Sequence, residues 1–486
     1  MRRRAMTLKT GVKMGTVLFS ILGTALGTSL FSEENRTVPF SFGQKQAPPE
    51  GGKPKDFKIP AGRSFALANG LQVTLVPYGK VPKATVRFIF RTGAVNEAAD
   101  EVWISSFVAD FLKEGTATKT ARQVAEAAAG MGGEVSSGAG DDISNLGGSC
   151  LAEFAPEFIR LLADMLRHPK FPESELPRLQ ANILRRITVA KSQPQTLAGI
   201  GFIHALYGDH PYGRLFPSEA AVKGYGVPAV KKFFDSQFAA KRTHLYVAGV
   251  FDDKKVEEAV RASLADWRAG AAAATNVPSP KSRRVVHVLD RPGSVQSTIM
   301  VGLPVIHPGH KDYIALQVTD ALLGSAFASR ITSNIRENKG YTYSPSSVLQ
   351  THYRDGCWYE QADVSTDVTG ATLKEIFFEV DRLAGEAPPA EELKGIQNNF
   401  AGLFALQNAT PGGIISQLNG VELHGLGPDY LATYVQNILK VTPADVQRVA
   451  KTYLRSKDMT IYIVGDLAKV KSQVEPYGEV LKAEIK

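Results

Sequence analysis

The chain has 486 residues, of which 21% are charged and 44% hydrophobic, with 44 Gly and 27 Pro spread along it. That length exceeds a single hydrophobic core, and the composition excludes collagen, a coiled coil and wholesale disorder. Two cysteines, Cys150 and Cys357, exclude a disulfide scaffold and a Cys-built metal site, so any metal must take His and carboxylate ligands. The formal charge is +8, but the ten Lys/Arg and four Asp/Glu of residues 1–60 contribute +6, which leaves +2 for the rest. A nearly neutral body removes nucleic acid from the expected partners.

Arg2-Arg3-Arg4, Lys9 and Lys13 precede an uncharged stretch from Met14 to Ser32 that contains Ala25-Leu26-Gly27. A basic start, an apolar run and a small-residue end predict an export signal over residues 1–32. An uncleaved anchor is the alternative, because a run of about 18 residues is just long enough to span a bilayer. Either way the body is expected outside the cytoplasm, periplasmic or otherwise extracytoplasmic, touching a membrane only through residues 14–32. No Cys follows the apolar run, so lipoprotein attachment has no support. Residues 33–60, rich in Pro, Gly, Gln and Lys, read as a tether with too little apolar content to fold alone.

The body opens with strand-like Thr85-Val86-Arg87-Phe88-Ile89-Phe90. Ile104, Phe107, Val108 and Phe111 then recur at helical spacing, and Trp103 and Leu112 widen the stripe into a mostly buried helix. Further on, a Pro-started amphipathic helix from Pro228 to Phe238 leads to the strand Leu245-Tyr246-Val247-Ala248-Gly249. An Ala/Gly/Pro/Ser stretch at Ala269 to Pro280 reads as a linker. The pattern then repeats. Thr298-Ile299-Met300-Val301-Gly302-Leu303 is followed by Ile314, Val318, Ala321 and Leu322 after Asp312, a helix expected to end near Gly324. A helix from Pro443 to Tyr453 precedes the strand Ile461-Tyr462-Ile463-Val464-Gly465. The two strand pairs are offset by nearly equal amounts, which predicts a duplicated unit of about 210 residues. Strands before helices in each unit predict an α+β class, a sheet covered by helices on one face. The expected organisation is a leader (1–32), a tether (33–60), one domain over 61–268, a linker (269–282) and a second domain over 283–486.

Arg91-Thr92-Gly93-Ala94-Val95-Asn96-Glu97, the buried helix closing in Lys113-Glu114-Gly115-Thr116, and His210-Pro211-Tyr212-Gly213-Arg214 resemble the first half of an insulinase/pitrilysin/processing-peptidase type metallopeptidase. Gly324, Phe327, Ser329-Arg330 and Ile335-Arg336-Glu337-Asn338-Lys339-Gly340-Tyr341-Thr342-Tyr343 resemble the family's second-domain signature. The resemblance spans roughly residues 60–486 and implies two homologous LuxS/MPP-like halves. Peptidases of the family carry H-x-x-E-H on the first buried helix: two His hold Zn²⁺, the Glu takes a proton from bound water, and a Glu some 75 residues on is the third ligand. By the resemblance, those helix slots here hold Ser106, Ala109 and Asp110, and Arg185 and Arg186 stand at the downstream slot. An Arg is always protonated and cannot ligate a cation. The chain is therefore not expected to hold zinc, and Asp110 with Ser106 reads as a solvated or hydrogen-bonded polar spot. His307-Pro308-Gly309-His310 reads as a surface turn before the helix at Asp312.

Arg336 and Tyr343 keep the spacing of the family's Arg/Tyr pair, which holds the substrate backbone and stabilises the oxyanion opposite the zinc. Without that resemblance they would read as a helix-end Arg and a strand-anchoring Tyr. Zinc ligands lost and the pair retained resembles one partner of the family's heterodimers. The resemblance implies peptide substrates, a homologous partner with intact H-x-x-E-H, and zinc in that partner and none in this chain. A structural or binding protein of the same fold with no proteolytic role is the other reading. Cys150 and Cys357 either pair in an oxidising compartment or are two separate buried thiols.

Overall fold

A computed structural model describes residues 59–485; the stretch expected to be an export signal and nearly all of the expected tether lie outside the described residues. The first six-stranded sheet contains β1 (Arg63–Ala66), β2 (Gln72–Pro77), β3 (Lys83–Phe90), β4 (Glu134–Ala139), β5 (Ser144–Leu151) and β6 (Thr243–Gly249), in the order β1-β2-β6-β3-β5-β4. The second contains β7 (Val285–Asp290), β8 (Gln296–Val305), β9 (Ser346–His352), β10 (Asp355–Ser365), β11 (Thr460–Gly465) and β12 (Glu479–Ala483), in the order β12-β7-β11-β8-β10-β9.

The runs β2-β6-β3-β5-β4 and β7-β11-β8-β10-β9 have the same directions, parallel at the first pair and antiparallel after it. The two strand pairs singled out in the sequence fall at equivalent places, β3 with β8 and β6 with β11. The outermost strands differ: β1 is antiparallel to β2, whereas β12 is parallel to β7. Residues 268–283, between the sheets in sequence, contain no helix or strand.

Alternation decides which face of each strand enters the core. On β3, Ala84, Val86, Phe88 and Phe90 are fully buried under the helices of the first sheet, including Phe107, Phe111 and Phe158. The other face is partly covered as well, by a helix from the opposite end of the chain. Helix Pro411–His424 lays Ile414 and Ile415 on Val76, Ile89, Tyr246 and Ala248 of the first sheet. Reciprocally, helix Pro194–Tyr207 packs Ala198, Phe202 and Leu206 with Met300, Tyr462 and Val464 of the second. Gly201 permits the close approach, since a Cβ there would stand 2.1 Å from the Tyr462 ring. Polar contacts fix the first of these helices: Glu422 accepts the Tyr246 hydroxyl and lies 2.6 Å from His244 Nδ1. With this exchange, the described residues 59–485 fall within one compact unit.

The cysteines do not pair. Cys150 on β5 and Cys357 on β10 are free and fully buried, and burial pushes both thiols up to about 12. Among the described residues no helix is long and apolar enough to cross a membrane.

Candidate functional site

The helix that carries the degenerate motif runs from Ile104 to Phe111 and buries Ile104, Phe107, Val108 and Phe111, the stripe expected from its spacing. Its N-terminus has no side-chain cap of its own, and Trp103 before it takes the left-handed conformation at φ 68°. Glu97 serves this end from outside the helix, accepting from Trp103 N at 2.8 Å, Ser105 N at 3.0 Å and Ser105 Oγ at 2.5 Å. Burial pushes the Glu97 carboxyl up against the opposing effect of these hydrogen bonds and of Arg214. Arg214 in turn donates to the Glu97 carbonyl at 2.7 Å. Three separated sequence motifs thus converge on one helix end. The role of Glu97 was not read from the sequence; the available signal was an acidic residue shortly before a helix with no Ser, Thr, Asp or Asn at its start.

Along the helix, Ser106 and Asp110 are half-buried and Ala109 is 3% exposed. The Ala109 carbonyl accepts from Ser137 Oγ of β4 at 2.5 Å, which ties the helix to the sheet edge. The downstream Arg residues lie on helix Leu176–Ser192 and diverge. Arg185 bonds Asn182 Oδ1 at 3.1 Å on its own helix. Arg186 reaches Asp110 Oδ2 at 3.1 Å, and Lys113 Nζ adds a contact at 3.6 Å.

The donor set does not fit zinc. It supplies a hydroxyl, a methyl and one carboxylate already neutralised by a guanidinium, with no imidazole, whereas Zn²⁺ needs three deprotonated ligands converging on it. Among the described residues no group of three or more His, Cys, Asp or Glu is arranged to hold a metal ion. His307 and His310 form the expected turn, their Nδ1 atoms accepting from Gly309 N and Asp312 N, each at 3.1 Å. Asp312 then pairs with both Arg448 Nη atoms, at 3.0 and 2.9 Å, which hold its carboxyl down to about 2.

Arg336 lies on a π-helix, Thr332–Asn338, a wide turn that re-aims side chains and recurs at functional sites. Gly340 at φ 64° lets the chain leave the helix, with Gly340 N bonded to Arg336 O at 3.1 Å and Tyr341 N to Ile335 O at 2.8 Å. Thr342 then bridges to Val364 of β10. This path brings Tyr343 back to Arg336, whose guanidinium carbon is 4.9 Å from the Tyr343 ring centre and 4.6 Å from that of Phe327. Both rings face solvent, Phe327 74% and Tyr343 80% exposed. The fold therefore brings Asp110 to Arg186 and Arg336 to Tyr343. Among the described residues no hydrogen bond, ion pair or ring contact joins the two pairs.

Two like-ordered six-stranded sheets, with the Ser106–Asp110 stretch on a helix against the first, make this a two-half α+β fold. Residues 73–215 match the family model described as Insulinase (Peptidase family M16), and residues 227–400 match the Peptidase M16 inactive domain. The chain belongs to the insulinase family. It is 23% identical over 295 residues to the uncharacterized zinc protease YmxG of Bacillus subtilis, a span of 60% of this chain and 71% of that protein. Among solved structures, the peptidase M16 inactive domain from Pseudomonas fluorescens is similar at TM-score 0.77 and 22% identity, covering 83% of this chain and 98% of that one. A chain of Complex III2 from Candida albicans is similar at TM-score 0.71 and 14% identity, covering 86% and 100%.

Proposed function

We propose that this chain is the zinc-lacking subunit of a heterodimeric insulinase-type peptidase that works outside the cytoplasm. It helps enclose and bind peptides, and it lends Arg336 and Tyr343 to a site whose zinc is held by a homologous partner carrying H-x-x-E-H. The observation that carries this reading is the contrast between the two pairs. At the degenerate motif the one carboxylate is spent on Arg186. In the second half, a guanidinium and a phenol stay together at the solvent boundary. A rigid guanidinium fork and a hydroxyl, closed off from water by a partner subunit, are preorganised donors for a peptide carbonyl that becomes an oxyanion.

The peptide joins the first sheet at β4, which has a neighbouring strand on one side only. Strand addition there uses backbone hydrogen bonds and leaves selectivity to alternate side chains. The like order of the two sheets supports an origin of the halves in one duplicated unit. A second reading, a purely structural subunit, is favoured by the likeness to the Complex III2 chain.

Native co-purification followed by sequencing of what binds separates them. The heterodimer reading expects a partner with H-x-x-E-H and cleavage of unfolded peptides by the pair but by neither chain alone. A stable complex with no peptide turnover supports the structural reading instead.

A further inference from the structure

On β3 the residues that turn away from the core are Lys83, Thr85, Arg87 and Ile89. Ile89 is covered by helix Pro411–His424, but Lys83 and Arg87 are not. The ladder register sets two rows running out to the sheet edge: Thr85, Ser149, Glu134 in one, and Arg87, Gly147, Ser136 in the next. Gly147 carries no side chain, so between Arg87 and the edge strand the floor of the sheet is bare backbone. A cavity of about 490 Å³ lies there, lined by Lys83, Arg87, Gly133, Glu134, Ser136 and Ser149. A second, of about 390 Å³, is lined by Lys80, Lys83, Arg87, Ser149 and the first helical turn at Pro411. Lys83, Arg87 and Ser149 belong to both, so the two form one groove.

The groove is cationic. Lys80, Lys83 and Arg87 face a single carboxylate, Glu134, and none of the four has an ion-pair partner among the described residues. Arg87 Nε is shut off from solvent without an acceptor. No hydrogen bond or ion pair holds the Arg87 guanidinium among the described residues, so it can donate charge-assisted hydrogen bonds to an anionic oxygen in the groove. The first turn of a 14-residue helix at the far end adds its partial positive charge.

We infer that this groove receives a carboxylate of the bound peptide, with Arg87 as the anchoring donor and Lys83 and Lys80 supplying attractive charge. The inference rests on the peptide-binding reading above. A strand added to β4 directs every second side chain to the Ser136 side of the sheet. Three strand spacings, roughly 14 Å, separate that strand from β3, within the joint reach of an extended Arg and an acidic group. The acid is a Glu or Asp side chain or the peptide's C-terminal carboxylate.

The test uses the full chain and three dye-labelled decapeptides of one sequence: a C-terminally amidated form with two Glu, its amidated Gln counterpart, and the Gln form with a free carboxylate. At low salt the wild type is expected to bind the Glu form about tenfold tighter than the amidated Gln form. A like preference for the free-carboxylate form would assign the C-terminal group. Arg87→Gln abolishes the preference and leaves the affinity for amidated Gln peptide unchanged, which also reports an intact fold; Arg87→Lys retains part of it. Equal binding of all three peptides by the wild type, or an unchanged preference in Arg87→Gln, overturns the inference. Inorganic phosphate displacing the Glu peptide at concentrations no higher than the peptide's own makes the groove a general anion site and overturns the peptide assignment. If no peptide binds, the peptide-binding reading falls and takes this one with it.

Discussion

Arg186 Nη2 lies 3.1 Å from Asp110 Oδ2, so a salt bridge joins the two helices at the position where catalytic relatives, by the resemblance, are joined through zinc. The Asp110 and Arg186 side chains are 26% and 48% exposed, and solvent screens the pair. Either single substitution to Ala should therefore cost no more than about 1 kcal/mol. A double-mutant cycle read by urea unfolding checks this: a coupling near 0.2–1 kcal/mol is expected for a screened pair. A coupling several times larger would mean that the bridge holds the fold together.

Restoring the ligand set should restore the metal. The chain with Ser106→His, Ala109→Glu, Asp110→His and Arg186→Glu presents two imidazoles at i and i+4 with a carboxylate across from them. It is expected to bind about one zinc per chain by metal analysis. The same chain with Arg186 retained should bind at least about tenfold more weakly, because a ligand is missing and a fixed cation faces the site.

Glu360 makes the fold sensitive to alkali. It is fully buried on β10, its carboxylate oxygens have no side-chain partner, and burial together with the charge of Asp320 outweighs the Ser346 backbone N–H and pushes its carboxyl well above the usual range. The folded state therefore keeps a proton that the unfolded chain releases near pH 4.3. Stability present below that pH is lost as pH rises through the folded value, by about 1.4 kcal/mol per pH unit. Glu360→Gln removes this proton uptake. Thermal unfolding from pH 5 to pH 9 should show a flatter profile for the variant, and parallel profiles would contradict the assignment.

Arg336 and Tyr343 should matter to turnover and little to stability, since Tyr343 is 80% exposed and the Arg336 side chain 24% exposed. In the reconstituted peptidase, Arg336→Ala is expected to lower kcat by about 10²–10³-fold, the scale of a lost oxyanion donor. Tyr343→Phe keeps the ring over Arg336 and removes only the hydroxyl. A fall in kcat in that variant with Tm unchanged separates a catalytic contribution from packing.

Much of this was legible in the residues, for physical reasons. The stripe Ile104, Phe107, Val108 and Phe111 reads as a buried helix because one face of a 3.6-residue turn must be apolar, and all four are buried. The runs ending at Gly249 and Gly465 read as strands because each is a short apolar run closed by Gly, and β6 and β11 occupy equivalent places in their sheets. Helix Pro194–Tyr207 was not legible as a cover for the opposite sheet, since Leu197, Ile200, Phe202 and Ile203 spread around it and mark no single face. Nor does sequence tell which of Arg185 and Arg186 meets Asp110. That depends on how two helices 76 residues apart are rotated against each other, and neighbouring residues on a helix point about 100° apart.

The central question is whether this chain completes an active site it cannot form alone. Peptide cleavage by the co-purified pair, with wild-type chain and with Arg336→Ala in parallel, tests that most directly. The expected result is no cleavage and no stoichiometric zinc for the isolated chain, cleavage by the pair, and its near-complete loss with Arg336→Ala. Zinc at about one per isolated chain, with peptide cleavage to match, would contradict it, and so would full activity of the Arg336→Ala pair.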